Sequence, residues 1–291
     1  MIPRCRPCDL YPCTIFRRFD TDNHYFLCFF LNASLSFLVY LSWWPNNSNL
    51  ALQLFRAAFL IQYSFYKNIA MVTSQFFFMF FSNFSGNTLY ESYFLVMYNT
   101  LYSSIPVMVY AILEQNIPAY KLIQDPKLYT MNSKNSLMSY RCLIKWTFSA
   151  LWHSLVTFFV CYLVYTDSET DLWSLQTAVA QIIVVVVNFK LLLVSKSWNM
   201  LLIISVIFSI ISFTVLTTIL QTVFSHDNFL VDSSYYMVYV NLLYQSKFWA
   251  STILALIISL IPDLLILVVE NVQIKYKPKY NTTVPFLEPV I

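Results

Sequence analysis

Seven apolar stretches, at 25–44, 57–81, 94–113, 146–165, 172–194, 199–222 and 248–270, constrain this chain more than any other feature. Crossing ~30 Å of hydrocarbon takes roughly 20 helical residues, and each run is about that long. Only helices and closed barrels satisfy their backbone in lipid, and these unbroken runs lack the alternation of barrel strands. The expected fold is an all-α, polytopic transmembrane helical bundle of six to seven spans. Composition agrees, because 11% charged residues could not cover a soluble domain of 291 residues. A net charge of +3 is too slight for a nucleic-acid partner. The single glycine, Gly86, leaves no glycine-rich phosphate loop. Six cysteines, with Cys28 and Cys161 inside apolar runs, make no disulfide framework.

The loops carry an orientation. Segment 114–145 holds Lys121, Lys127, Lys134, Arg141 and Lys145 against Glu114 and Asp125, and the tail holds Lys275, Lys277 and Lys279. Asp167, Glu169 and Asp171 make 166–171 acidic, and the 223–246 loop has Asp227 and Asp232 without Lys or Arg. Basic loops favour the cytoplasm, so six spans from 57 onward give a cytoplasmic start, 114–145 loop and tail. The first run conflicts with this parity, since Arg4, Arg6, Arg17 and Arg18 would lie outside if 25–44 crossed. It spans, re-enters or lies in the interface; its late start and missing cleavage site exclude an ordinary signal peptide.

Ionisable groups inside these runs are the candidate functional residues, because each costs at least ~2.5–3.5 kcal/mol at mid-bilayer. Lys67 lies roughly 15 Å into its run, too deep to snorkel easily. Ser64, Lys67, Asn68, Met71, Ser74 and Gln75 share one helical face, opposite Phe, Ile and Val. Such a polar face either glues helices together or lines a path. In the next run Asn99, Tyr102, Ser103 and Pro106 share a face, and Pro106 deprives one carbonyl of its amide partner. That kink could offer polar backbone to a neighbouring groove. Pro262 is a second expected kink.

Other candidates read more blandly. His153 is expected to be a packing histidine, Lys190 to snorkel, and Asp263, with Glu270 seven residues on, to be an interfacial anchor rather than an ion site. Cys5, Cys8, Cys13 and His24 have spacing too irregular for zinc, so no metal site is expected. Glycosylation patterns occur at Asn32, Asn46, Asn83 and Asn281, of which only Asn83 clearly faces outward in this topology.

The string Ile61-Gln-Tyr-Ser-Phe-Tyr-Lys-Asn68, followed by Asn83-Phe-Ser-Gly-Asn-Thr-Leu-Tyr-Glu91, resembles the fifth membrane helix and next loop of the type-four P-type ATPases, the phospholipid flippases. Met97-Tyr-Asn-Thr-Leu-Tyr-Ser-Ser-Ile-Pro-Val107 is similar to their sixth helix. Glu114-Gln-Asn116 stands where they have Asp-Gln-Asp, and Asp125-Pro-Lys-Leu-Tyr129 matches their Pro-x-Leu-Tyr. Val187-Asn-Phe-Lys-Leu191 with Trp198 resembles the eighth helix, and Phe248-Trp249 with Leu260-Ile-Pro-Asp263 the tenth. The resemblance divides the chain into an atypical segment 1–54, a flippase-like membrane domain 55–278 and a cytoplasmic tail 279–291. Asn83 and Asn116 depart from the family pattern, and 25–44 has no clear counterpart.

The resemblance implies phospholipid as substrate and, in a plasma membrane or Golgi–endosome setting, a two-span glycosylated accessory subunit as possible partner. Lys67 and Asn68 match family positions that handle the headgroup, and Asn99 and Ser103 match polar positions of the facing helix. With Ser64 they are the expected substrate path. ATP and Mg are expected only for a complete family member. These 291 residues contain no Asp-Lys-Thr-Gly phosphorylation sequence and no counterpart of the fourth family helix. Segment 114–145 is too short for a nucleotide-binding domain, so the chain is not expected to hydrolyse ATP alone and no catalytic residue is assigned. Two alternatives stay open: a non-catalytic regulator or remnant that binds the accessory subunit, and a seven-span receptor.

Overall fold

The structure, a computed structural model, describes residues 50–114, 139–165, 172–196, 199–224 and 237–276. The described residues form helices and no strand. They are α1 (Leu50–Phe81), α2 (Ser92–Leu113), α3 (Tyr140–Tyr165), α4 (Leu172–Val194), α5 (Met200–Ile219), α6 (Val238–Tyr244) and α7 (Ser246–Tyr276). Of these, α2, α3, α4, α5 and α7 are long and apolar enough to cross a membrane. Helix α1 is long enough too, but Gln62, Ser64, Lys67, Asn68, Ser74 and Gln75 dilute its apolarity.

Each run from 57 onward became a helix, with shifted ends. Helix α1 begins at Leu50 and α3 at Tyr140, so Arg141 and Lys145 sit on α3 rather than in a loop. Helix α7 continues past residue 270 to Tyr276. The 223–246 loop contains α6, which hydropathy did not signal because it is only seven residues long. The run 25–44, the cysteines at 5, 8 and 13, and Asn32, Asn46 and Asn281 lie outside the described residues.

Helix α4 packs against every other described helix. Its middle, Ile182 to Val187, is buried throughout, and small Ala178 and Ala180 let neighbours approach. Around it the pattern is inside-out. On α5, Leu201, Ile204, Phe208, Ile211 and Val215 are exposed, whereas Ser205, Ser209 and Thr217 face inward. An apolar outer surface around polar inner faces is what lipid selects, since lipid does not drive apolar side chains together.

The turn between α1 and α2 uses left-handed backbone at Asn83 (φ 51), Phe84 (φ 56) and Gly86 (φ 82). Asparagine tolerates that region better than most residues, which explains how Asn83 can stand where the family pattern has glycine. Gln75 Oε1 accepts from the Leu89 amide at 2.7 Å and pulls the turn back onto the bundle.

Candidate functional site

The polar face of α1 divides among three neighbours. Ser74 meets Ser154 of α3 at 2.9 Å, Gln75 holds the turn, and Lys67 meets α2. The Lys67 amine is 1% exposed and donates to Ser103 Oγ at 2.8 Å. Ser103 Oγ donates to the Tyr98 carbonyl at 2.6 Å, and the Tyr98 hydroxyl returns to the Lys67 carbonyl at 3.1 Å. The chain can close this ring because Tyr98–Tyr102 is a π-helical turn, in which the Ser103 amide reaches back to Tyr98. No carboxylate pairs with Lys67 among the described residues. Asn68 and Asn99 are buried nearby in sequence, and Asn68 Oδ1 has no hydrogen-bond partner among the described residues. Ser64, a turn earlier, is half-buried. Of the five path residues, the structure thus joins Lys67 to Ser103 by a direct bond, inside a closed seam.

Pro106 was expected to leave a carbonyl facing a groove. The carbonyl in question, on Tyr102, is instead taken by α4 and α5: Asn188 Nδ2 donates at 3.2 Å, and Ser209 Oγ donates as well. Asn188 Nδ2 also reaches Ser209 Oγ at 2.8 Å. Lipid cannot replace a lost backbone partner, so the neighbouring helices do. Pro262 in α7 follows the same rule, with the freed carbonyl of Ile258 facing the Trp152 indole N–H at 3.4 Å.

A second buried centre overturns two expectations. Lys190 does not snorkel; it is 0% exposed, and its ammonium lies 2.6 Å from Asp263 Oδ1. Asp263 is no interfacial anchor, because it is 2% exposed and faces α3 and α4 from within a helix that extends to Tyr276, more than three turns further. Its other oxygen lies 3.0 Å from His153 Nε2, and Ser149 donates to Oδ1 at 3.3 Å. His153 is buried and bonded as expected, but to a carboxylate and to Tyr66, whose hydroxyl lies 2.5 Å from Nδ1. Trp146 places its ring 5.5 Å from the Lys190 ammonium. The side chain of Glu270 lies outside the described part. Tyr66, Asn188 and Ser209 were not singled out from sequence, since a tyrosine, an asparagine and a serine in apolar runs carry no signal of their own.

Glu114 ties the opposite ends of three helices together. Its carboxylate accepts from Ser195 Oγ at 2.9 Å and the Lys196 amide at 3.1 Å, and its carbonyl accepts from Arg56 Nε at 2.7 Å. A cavity of about 10 Å³, room for one water, lies between the 82–91 turn, α2, α4 and α5; none of the five path residues lines it. Among the described residues no three His, Cys, Asp or Glu side chains could hold a metal ion together.

Fold and site together define a helical membrane domain with charge held inside the bundle. The chain belongs to the family described as "Phospholipid-translocating P-type ATPase C-terminal", which matches residues 51–276. It is 32% identical over 225 residues to Phospholipid-transporting ATPase 11C of Mus musculus, covering 75% of this chain and 20% of that protein. Phospholipid-transporting ATPase IG of Homo sapiens gives the same identity and coverage, and Phospholipid-transporting ATPase DRS2 of Saccharomyces cerevisiae is 28% identical over 72% of this chain and 16% of its own. The chain thus spans about a fifth of the length of these relatives. Membership displaces the seven-span receptor reading.

Proposed function

We propose that this chain is the membrane portion of an ATP-driven phospholipid translocator, and that Lys67, Asn68, Ser64, Asn99 and Ser103 belong to its headgroup path. The observation that carries the proposal is Lys67: a fully buried amine, deep in α1, bonded to one hydroxyl and paired with no described carboxylate. A headgroup phosphate cannot enter hydrocarbon without replacement partners, and a cation beside hydroxyl and amide groups supplies them. Family membership supports phospholipid as the ligand class. ATP and Mg would act outside the residues described here.

The test is photolabelling. The chain is reconstituted in nanodiscs with a phospholipid carrying a photoreactive group beside its phosphate, and adducts are mapped by mass spectrometry. Adducts are expected on α1 and α2 around Lys67 and Ser103, and Lys67→Met should remove them. Labelling confined to the outer faces of α3 and α5, unchanged by the substitution, would rule the path out.

One observation favours a second reading. The seam around Lys67 is closed, which suits a non-catalytic regulator that keeps the family's membrane surface and engages the two-span accessory subunit. Co-purification of that subunit with the chain, in a plasma-membrane or Golgi–endosome fraction, without any headgroup adducts, would select the regulator.

A further inference from the structure

Four helices meet at a continuous line of polar atoms that the headgroup path does not use. The Tyr66 hydroxyl on α1 lies 2.5 Å from His153 Nδ1 on α3. His153 Nε2 lies 3.0 Å from Asp263 Oδ2 on α7, and Asp263 Oδ1 lies 2.6 Å from the Lys190 ammonium on α4. All four side chains are at most 2% exposed. The carboxylate gives one oxygen to each cationic or N–H partner. An ionised carboxylate can only accept, so the ring proton belongs on Nε2. Nδ1 is then left to accept from Tyr66. Tyr66 and His153 meet through a hydrogen bond, and His153 and Lys190 each meet Asp263 through a close ion-pair contact.

The outer end of this line matters because Tyr66 and Lys67 are consecutive. Neighbouring residues in a helix point about 100° apart, from 3.6 residues per turn. With Tyr66 fixed on α3, Lys67 must face α2, where Ser103 Oγ waits at 2.8 Å. A turn of α1 by one residue would carry the amine away from Ser103. The buried rings of Tyr63 and Tyr66 packed against Trp146 oppose such a turn, and polar contacts can add to that packing a preference for one rotation. A hydrogen bond to a histidine that is itself held against a buried carboxylate adds a preference for one rotation, and fixing register is the best-attested use of buried polar groups.

We propose that Asp263, His153 and Tyr66 are a positioning relay, with Lys190 as its counter-ion, that sets the rotation of α1 and thereby aims Lys67 at Ser103. The proposal rests on the reading of Lys67 as a headgroup group, since only that reading gives its aim a purpose. The relay reaches the path through the backbone, since Tyr66 precedes Lys67 in α1. Tyr63, on the same helix, adds a separate bond to the Val187 carbonyl at 3.0 Å, which holds α1 against α4 without reference to charge.

The test is solid-state NMR on the full chain, labelled with ¹⁵N and ¹³C, in phospholipid nanodiscs. The parent should show His153 with its proton on Nε2 and a through-space cross-peak between Lys67 Nζ and Ser103 Cβ. Asp263→Ala should scramble the tautomer and abolish the cross-peak. Asp263→Asn combined with Lys190→Met restores a neutral acceptor for Nε2–H and should recover both signals. A proton found on Nδ1 in the parent, or a cross-peak that survives Asp263→Ala, overturns the relay. If Asp263→Ala does not fold, Tyr66→Phe decides, because it removes one hydroxyl only: a shifted Nδ1 and a lost cross-peak support the relay, and an unchanged cross-peak overturns it. Contact between Lys67 Nζ and lipid ³¹P is read in the same samples. Its absence beside an intact relay would defeat the headgroup reading and leave the relay standing.

Discussion

Lys67 and Lys190 are equally withdrawn from solvent, at 1% and 0% exposure, yet their surroundings differ in kind. Lys190 has Asp263 at 2.6 Å and a tryptophan face at 5.5 Å. Lys67 has a serine hydroxyl at 2.8 Å and no described carboxylate. Desolvating an ion costs several kcal/mol, and only a well-placed opposite charge offsets most of that. One amine therefore has its counter-charge within the bundle, and the other has none among the described residues. Neutralised charge suits a fixed joint between helices. An amine without a counter-charge suits a transient anion, and a phosphate is the anion every phospholipid carries.

The largest effect should follow from breaking the neutralised side. Asp263→Ala strands Lys190 and is expected to cost about 3–5 kcal/mol of unfolding free energy in mixed micelles. Lys190→Met with Asp263→Leu should recover most of it, because an apolar pair of similar volume replaces a satisfied ion pair at little cost. A single variant as stable as the parent would mean that the pair is no joint. Next in size is Asn188→Leu, which removes bonds to the Tyr102 carbonyl and to Ser209, for roughly 1–2 kcal/mol. Pro106→Ala supplies an amide for that carbonyl, so in its background the Asn188 loss should shrink; strict additivity would show that Asn188 does not serve the kink.

Gly86→Ala is a smaller perturbation at the bundle's end. Nothing lies within 4 Å of the added Cβ, so only the left-handed backbone at φ +82 opposes it. About 1 kcal/mol is expected, with no change at either lysine in the NMR spectra. A change at Lys67 would couple the turn to the path through Gln75 and Leu89.

The sequence disclosed one half of this contrast better than the other. Lys67 stood out because a charge in the middle of an apolar run is costly wherever its partners lie. Lys190 and Asp263 sit near run ends, where snorkelling and interfacial anchoring are ordinary, and their pairing joins residues far apart in the chain. Periodicity on one helix says nothing about which helix comes to face it. For the same reason Pro106 announced a freed carbonyl but not that Asn188 and Ser209 would claim it. The helices themselves were legible, since apolar length is a local property; α6 was not, because seven residues are too few for a hydropathy signal, and the continuation of α7 to Tyr276 was not, because Asn271, Gln273 and Lys275 break its apolarity. Tyr66 was hidden twice, as an aromatic among aromatics and as the neighbour of a louder residue.

Lys67→Met is the smallest perturbation of stability and the sharpest test of the contrast. It removes a cation with no described counter-charge and leaves Ser103 with its bond to the Tyr98 carbonyl. Unfolding free energy should change by less than about 1 kcal/mol, because the lost charge-assisted bond and the relieved desolvation oppose each other. Lys190→Met, by comparison, abandons Asp263 between His153 and Ser149 and should cost several times more. Thermal unfolding of both variants in the same nanodiscs makes the measurement internal. If the two substitutions cost the same, Lys67 is held by a charge that the geometry does not show, and it is a joint like Lys190. If Lys67→Met is nearly silent in stability yet loses headgroup photolabelling, the amine is kept in the bilayer for what it binds rather than for what it holds together.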